Sequence, residues 1–188
     1  MLVALTSFGD AAVLLPLAAM ICLWLLLSRA LRAARWWAVS VVFCVAATAI
    51  LKIVFRGCPP ISDLHSPSGH TSLSTLVYGA TALITAVEGG GCRPHIAAAG
   101  GAGLILAISL SRLLLHLHSV PEVMGGWIIG GASLALFGQR YRLLRPQNAR
   151  LAPLLVSLVA LALVLHGSEL HAEELLRRIT AYFRIACR

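Results

Sequence analysis

Residues 11–55 read AAVLLPLAAMICLWLLLSRALRAARWWAVSVVFCVAATAILKIVF. Two apolar runs, Ala11–Leu27 and Trp36–Phe55, flank a short segment that holds Arg29, Arg32 and Arg35. Each run is close to the roughly 20 residues that a helix needs to cross the hydrocarbon core of a bilayer. The arginines suit a membrane boundary, and Trp36 and Trp37 place aromatic rings at headgroup level. The residues before Ala11 include Asp10 but no Lys or Arg. Without the basic flank of a cleavable signal peptide, the first run reads as a retained span.

The remainder of the chain has the same character. Of its 188 residues 59% are hydrophobic and 12% charged, against about 25% charged in an ordinary soluble domain, and mean hydropathy is +0.89. A water-soluble globule is excluded, as are a disordered chain and a disulfide-framed secreted module. Five cysteines without CxxC spacing leave no zinc or redox motif. The net charge of +8 arises from 15 Lys+Arg against 7 Asp+Glu. In a soluble protein it would raise the question of nucleic acid; here the basic residues gather at span ends, and no nucleic-acid partner is expected.

Residues 56–69 contain three prolines, two glycines, Asp63 and His65, which reads as an ordered loop. A third span is expected from His70 to Val87, stopped by Glu88 and Gly89-Gly90-Gly91. A fourth, His95 to Leu115, is rich in the Gly and Ala that let membrane helices approach closely. The fifth follows Ser119-Val120-Pro121 and reaches about Phe137, and the sixth is Leu151–Leu165. Beyond it, Leu175, Leu176, Ile179, Tyr182 and Phe183 recur at helical spacing, with Glu173–Arg177 and Glu174–Arg178 as i,i+4 pairs. That tail suits an amphipathic surface helix, or equally a solvated helix without special role. The expected fold is therefore all-α: an integral membrane helical bundle of about six transmembrane helices over residues 1–167, plus an amphipathic C-terminal helix at 168–188.

If six spans alternate, Arg29, Arg32, Arg35, Arg93, Arg140, Arg142, Arg145 and Arg150 share one side, which the positive-inside rule makes cytoplasmic. Both chain ends then lie outside. Ionisable groups at membrane depth are costly and mark function, and they collect on that outer side. Lys52 and Arg56 end the second span, Ser66-Pro67-Ser68-Gly69-His70 opens the third, Ser111-Arg112 ends the fourth, and His116, His118 and Glu122 surround the start of the fifth. Such a set suits a phosphate. Arg offers paired donors and Lys a point charge, while the Ser68-Gly69 backbone at a helix N-terminus adds N–H donors. One imidazole can attack phosphorus and another can protonate a leaving oxygen. No acidic cluster suited to magnesium is present, so protein cations would neutralise the charge.

This pattern resembles the type 2 phosphatidic acid phosphatase superfamily of membrane-integral lipid phosphatases, whose motifs run K-x6-R-P, P-S-G-H and S-R-x5-H-x3-D. Pro67-Ser68-Gly69-His70 matches the second motif completely. Ser111-Arg112, His118 and Glu122 match the third in spacing, with Glu in place of Asp. The first motif departs: counting from Lys52, its Arg and Pro positions hold Pro59 and Pro60. Arg56, four residues after Lys52, would share its face if the helix continues that far.

The resemblance implies a cofactor-free and metal-independent phosphotransfer in which His118 is the nucleophile and forms a phosphohistidine. Glu122 would hold His118 in its attacking tautomer, and His70 would protonate the leaving oxygen and then activate water. Lys52, Ser68, Gly69 and Arg112, with Arg56, would hold the phosphoryl oxygens. The expected substrate is a membrane lipid phosphate or diphosphate, with a polyprenyl diphosphate foremost and phosphatidic acid, phosphatidylglycerophosphate or lipid A phosphates as alternatives. The implied location is a bacterial cytoplasmic membrane, with the site facing the exterior. A lipid phosphotransferase and a non-enzymatic lipid or anion transporter are the rival readings. Simpler roles stand beside the catalytic ones: Glu122 as a capping-box residue behind Ser119, Lys52 as a snorkelling cation, and His116 with His118 as metal ligands.

Overall fold

The computed structural model describes residues 2–57, 66–89, 93–146 and 150–167. The expected C-terminal helix at 168–188 and the loop around His65 lie outside the described residues. Those described form α1 (Leu2–Ser7), α2 (Ala11–Leu27), α3 (Leu31–Gly57), α4 (Gly69–Glu88), α5 (Arg93–Leu114), α6 (Val120–Leu144) and α7 (Leu151–Val164). The six expected spans correspond to α2 through α7, and the chain is an all-α membrane helical bundle. Leu31–Phe55, Pro94–Leu114 and Val120–Leu144 are each long and apolar enough to cross a membrane. The 17 residues of α2 and 14 of α7 make shorter apolar helices; at 1.5 Å per residue α7 is only about 21 Å long.

Helix ends differ from the hydropathy pattern for identifiable reasons. Helix α3 starts at Leu31, before the apolar run, because its first turns are amphipathic: Ala33 and Ala34 are buried while Arg32 and Arg35 face outward. Helix α6 outlasts its apolar stretch and reaches Leu144, with Phe137 and Tyr141 buried and Arg140 over the Trp36 ring at 4.6 Å. Between α2 and α3 the chain turns on Arg29 at φ 58, with Arg29 N–H donating to the Leu26 carbonyl and Ala30 N–H to that of Leu25, both at 2.9 Å. This is the pair of hydrogen bonds that closes a helix through a left-handed residue.

Helix α4 is the central element and packs against α2, α3, α5 and α6. Its polar residues are internal: Thr71, Ser72 and Ser74 are fully buried beside Leu76, Ala80 and Ile84. Ser72 shares a hydrogen bond with Thr48 of α3 at 3.0 Å, while Ser74 and Thr75 bond to the Thr71 carbonyl. The outward faces, including Val42, Phe43, Ile50, Ile96 and Ile128, are apolar and exposed, as a lipid-facing surface requires.

Alternation of the helices is visible at both ends of the bundle. At one, Tyr141 O–H donates to Glu88 Oε1 at 3.0 Å, Arg145 to the Val87 carbonyl at 3.2 Å, and Trp24 Nε1–H to the Arg150 carbonyl at 3.1 Å. At the other, the Phe8 ring stacks on His166 with centroids 4.6 Å apart.

Close approach of α6 to α4 depends on Gly126 and Gly130. A Cβ on Gly126 would lie 2.8 Å from the Ser68 carbonyl oxygen, and one on Gly130 2.5 Å from that of Ser72, whereas one on Gly131 would meet nothing within 4 Å. Backbone cannot yield as a side-chain tip can, so Gly126→Ala and Gly130→Ala should each cost about 1–3 kcal/mol. Gly131→Ala should be neutral. Thermal unfolding of the three variants in one detergent checks this.

Candidate active site

The end of α5 and the start of α6 build the centre of the site. Helix α5 closes on His116 at φ 52, with His116 N–H donating to the Leu113 carbonyl at 3.0 Å and Leu117 N–H to that of Arg112 at 3.1 Å. The same Arg112 carbonyl accepts from His118 N–H at 3.3 Å, so the helix terminator also fixes the backbone of His118. His116 is exposed and serves as the left-handed closing residue; its pairing with His118 as metal ligands gains no third partner among the described residues. Glycine suits such a position better. His116→Gly should leave turnover unchanged and raise stability by up to about 1 kcal/mol, which thermal unfolding would register.

His118 then turns inward, its side chain 5% exposed, and its Nδ1 lies 3.0 Å from Glu122 Oε2. That oxygen also accepts the Ser119 backbone N–H at 2.7 Å. Capping and the histidine partnership are therefore one arrangement, made by a single carboxylate oxygen. The extra methylene of Glu over Asp suits it: a residue at the third helical position must reach back over the N-cap. A carboxylate partner requires Nδ1 to carry the proton, which leaves the Nε2 lone pair available.

Pro67-Ser68-Gly69-His70 forms the entry to α4 and is pinned to the same helix, since Ser68 N–H donates to the Glu122 carbonyl at 3.0 Å. Ser68 is fully buried, and within the described residues its hydroxyl and that of Thr71 have no hydrogen-bond partner. Such groups are costly to bury without a ligand. A Cβ on Gly69 would sit 3.6 Å from Lys52 Nζ, in ordinary contact, which puts the ammonium against the first turn of α4. Lys52 is 4% exposed and Arg112 9%. Two buried cations beside the positive end of a helix form a site for an anion.

The structure thus gathers His118, Glu122, Ser68, Gly69, Lys52 and Arg112 at one end of the bundle. Helix α3 continues to Gly57, so the backbone of Arg56 follows Lys52 by one helical turn; its side chain lies outside the described part. His70 stands in the first turn of α4 with Nε2 3.5 Å from Asp10 Oδ2. That partner was not anticipated, nor was Thr6, which accepts from Arg112 Nη1 at 3.3 Å. Both belong to the N-terminal segment, whose only sequence signal was a carboxylate just ahead of an apolar run.

Electrostatics favour a neutral His118. Burial pushes its pKa below the ordinary histidine value, opposed by the Glu122 hydrogen bond and charge and assisted by the Arg112 and Lys52 charges. A buried neutral imidazole held by a carboxylate, next to cations and an unpartnered hydroxyl at a helix N-terminus, can attack an anionic electrophile and stabilise the charge that develops on it.

Comparison with known proteins agrees with this geometry. The chain is 33% identical over 138 residues to an uncharacterized 22.5 kDa protein in the cps region of Klebsiella pneumoniae, an alignment covering 71% of this chain and 66% of the relative, slightly under two thirds of the latter's length. No solved structure matches it significantly. The family model described as the PAP2 superfamily matches residues 52–146, just over half the chain and the stretch from Lys52 through α6. The chain belongs to the PAP2 superfamily.

Proposed function

We propose that this membrane protein is a phosphatase that hydrolyses a lipid phosphate or diphosphate through a phosphohistidine on His118. The observation that carries the reading is the 3.0 Å contact between His118 Nδ1 and Glu122 Oε2, set beside the buried cations Lys52 and Arg112.

In the first step the Nε2 lone pair of His118 forms a bond to phosphorus while the bond to the lipid oxygen, or to the bridging oxygen of a diphosphate, breaks. The leaving oxygen takes the electron pair and a proton from His70. Glu122 balances the positive charge of the phosphorylated ring, and Lys52, Arg112, the Ser68 hydroxyl and the α4 amides hold the phosphoryl oxygens. In the second step His70 removes a proton from water, whose oxygen attacks phosphorus. The P–N bond breaks, its electrons return to Nε2, and inorganic phosphate leaves.

The apolar flanks of α3 through α6 support a site at a membrane boundary, which would favour a substrate whose tail stays in lipid while its headgroup reaches His118. The arginines at the opposite end of the bundle favour a cytoplasmic location for that end, and so an external site in a bacterial cytoplasmic membrane. Phosphate release from purified protein in mixed micelles, measured with a polyprenyl diphosphate, phosphatidic acid and phosphatidylglycerophosphate in EDTA, tests the reading. Release from at least one, abolished in His118→Ala, is expected. No release from any contradicts it and favours the transporter, whereas release equal in His118→Ala contradicts the phosphohistidine.

A further inference from the structure

The segment 2–10 lies outside the family match at 52–146, yet it is fastened beside the site by contacts from two helices and from the residue that follows a third. Tyr78 of α4 donates its hydroxyl hydrogen to the Phe8 carbonyl at 2.7 Å, Arg112 of α5 donates to Thr6, and His166, just after α7, stacks on Phe8. Gly9 continues the close packing: a Cβ there would meet Ile108 Cγ2 at 2.7 Å and His70 Cβ at 3.5 Å. These contacts deliver Asp10 to the ring of His70.

We infer that Asp10 is a positioning residue for His70, the carboxylate that orients its ring and balances its positive charge while it carries the proton destined for the leaving oxygen. The two oxygens of Asp10 divide the work. Oδ1 accepts from Ala12 N–H at 2.8 Å and caps α2, while Oδ2 faces His70 Nε2 at 3.5 Å. Capping alone does not require a carboxylate, since Asn and Ser cap helices about as well as Asp. With Nε2 turned to Asp10, the other ring nitrogen, Nδ1, is the one that exchanges the proton with substrate and water. Both side chains keep some access, 18% for His70 and 17% for Asp10, as proton transfer to an incoming substrate requires. The site then contains two carboxylate–histidine pairs, one on the attacking side and one on the leaving-group side.

This inference rests on the proposed role of His70 as proton donor, and the test separates the two. A donor matters for an alkoxide leaving group and little for 4-nitrophenolate, which departs without a proton. We would measure kcat/KM, which reports steps through expulsion of the leaving group, with decyl phosphate and with 4-nitrophenyl phosphate. Asp10→Asn keeps the helix cap and removes the charge. It should lose about ten-fold or more on decyl phosphate and less than about three-fold on 4-nitrophenyl phosphate, the signature of general acid catalysis. His70→Ala should show the same selectivity at larger amplitude, and the double variant should lose little beyond His70→Ala, because residues acting as a unit are not additive. Equal losses on both substrates in Asp10→Asn, or no loss while His70→Ala remains selective, would overturn the inference. A His70→Ala variant without leaving-group selectivity would overturn the role of His70 itself. A stoichiometric burst of 4-nitrophenol, which needs only the first step, certifies that each variant is folded.

Discussion

His118→Ala should lower kcat for the preferred lipid phosphate by about a thousand-fold or more, because it removes the atom that bonds to phosphorus in the proposed mechanism. The fold should survive. His118 contributes one side-chain hydrogen bond, to Glu122 Oε2, and that oxygen keeps its bond from the Ser119 amide at 2.7 Å. The α5 terminator uses backbone groups of residues 111–118 and is indifferent to the side chain. Thermal unfolding close to wild type, with phosphate release at the uncatalysed background, is the expected combination. Substrate binding should persist, since Lys52, Arg112 and the first turn of α4 remain. A variant retaining a tenth of the activity would remove His118 from the reaction.

Glu122→Gln has the second largest expected effect, a fall in kcat of about 10²–10⁴-fold with little change in KM. The amide oxygen of Gln can still accept from Ser119 N–H, so the α6 cap is retained. The charge that stabilises the ring as it becomes a cation is lost. Glu122→Asp separates the two jobs differently: it keeps the charge but shortens the reach to Ser119 and His118, so it should lose both stability and rate.

The pH profile sharpens this prediction. The proposed reaction needs neutral His118, so activity should be lost as pH falls through its pKa. Burial sets that pKa below the ordinary value, about 6.5, and the acidic limb of kcat/KM should lie correspondingly lower. Glu122 acts in the opposite direction, raising it through its hydrogen bond and its charge. Glu122→Gln should therefore move the acidic limb lower still, on a much reduced plateau. A shift toward higher pH would show that the limb belongs to another group.

How much of this is legible in the sequence alone depends on the kind of signal each element carries. Helices α2 through α7 announce themselves by length and hydropathy, because a bilayer demands long apolar runs whatever their packing. Ser68, Gly69, His70, Arg112, His118 and Glu122 could be named because motif spacing survives folding: helix ends bring them together. Capping and histidine partnership are legible for Glu122 as alternative readings, and the structure puts both contacts on one oxygen.

What was not legible follows physical lines as well. Helix α1 has six residues, too few for a hydrophobic period to register. Asp10 has a complete local explanation as an N-cap, so nothing in its neighbourhood points to a histidine 60 positions later in the sequence. The φ of 52 with which His116 closes α5 has no signature in the residue type. The extension of α3 back to Leu31 and of α6 to Leu144 runs through amphipathic turns, where buried Ala33, Ala34, Phe137 and Tyr141 alternate with exposed arginines and apolar content alone does not mark the helix.

The central claim is that the phosphoryl group passes through His118, and trapping it there is the most direct test. In His70→Ala the water-activating step is removed, while an electrophile such as radiolabelled 4-nitrophenyl phosphate does not need a proton donor to react. The account predicts that this variant accumulates a protein-bound label that is stable to alkali, labile to acid, located on the peptide containing His118 and absent from the His70→Ala/His118→Ala double variant. Release of 4-nitrophenol with no label on the protein, or a label that persists without His118, would contradict it.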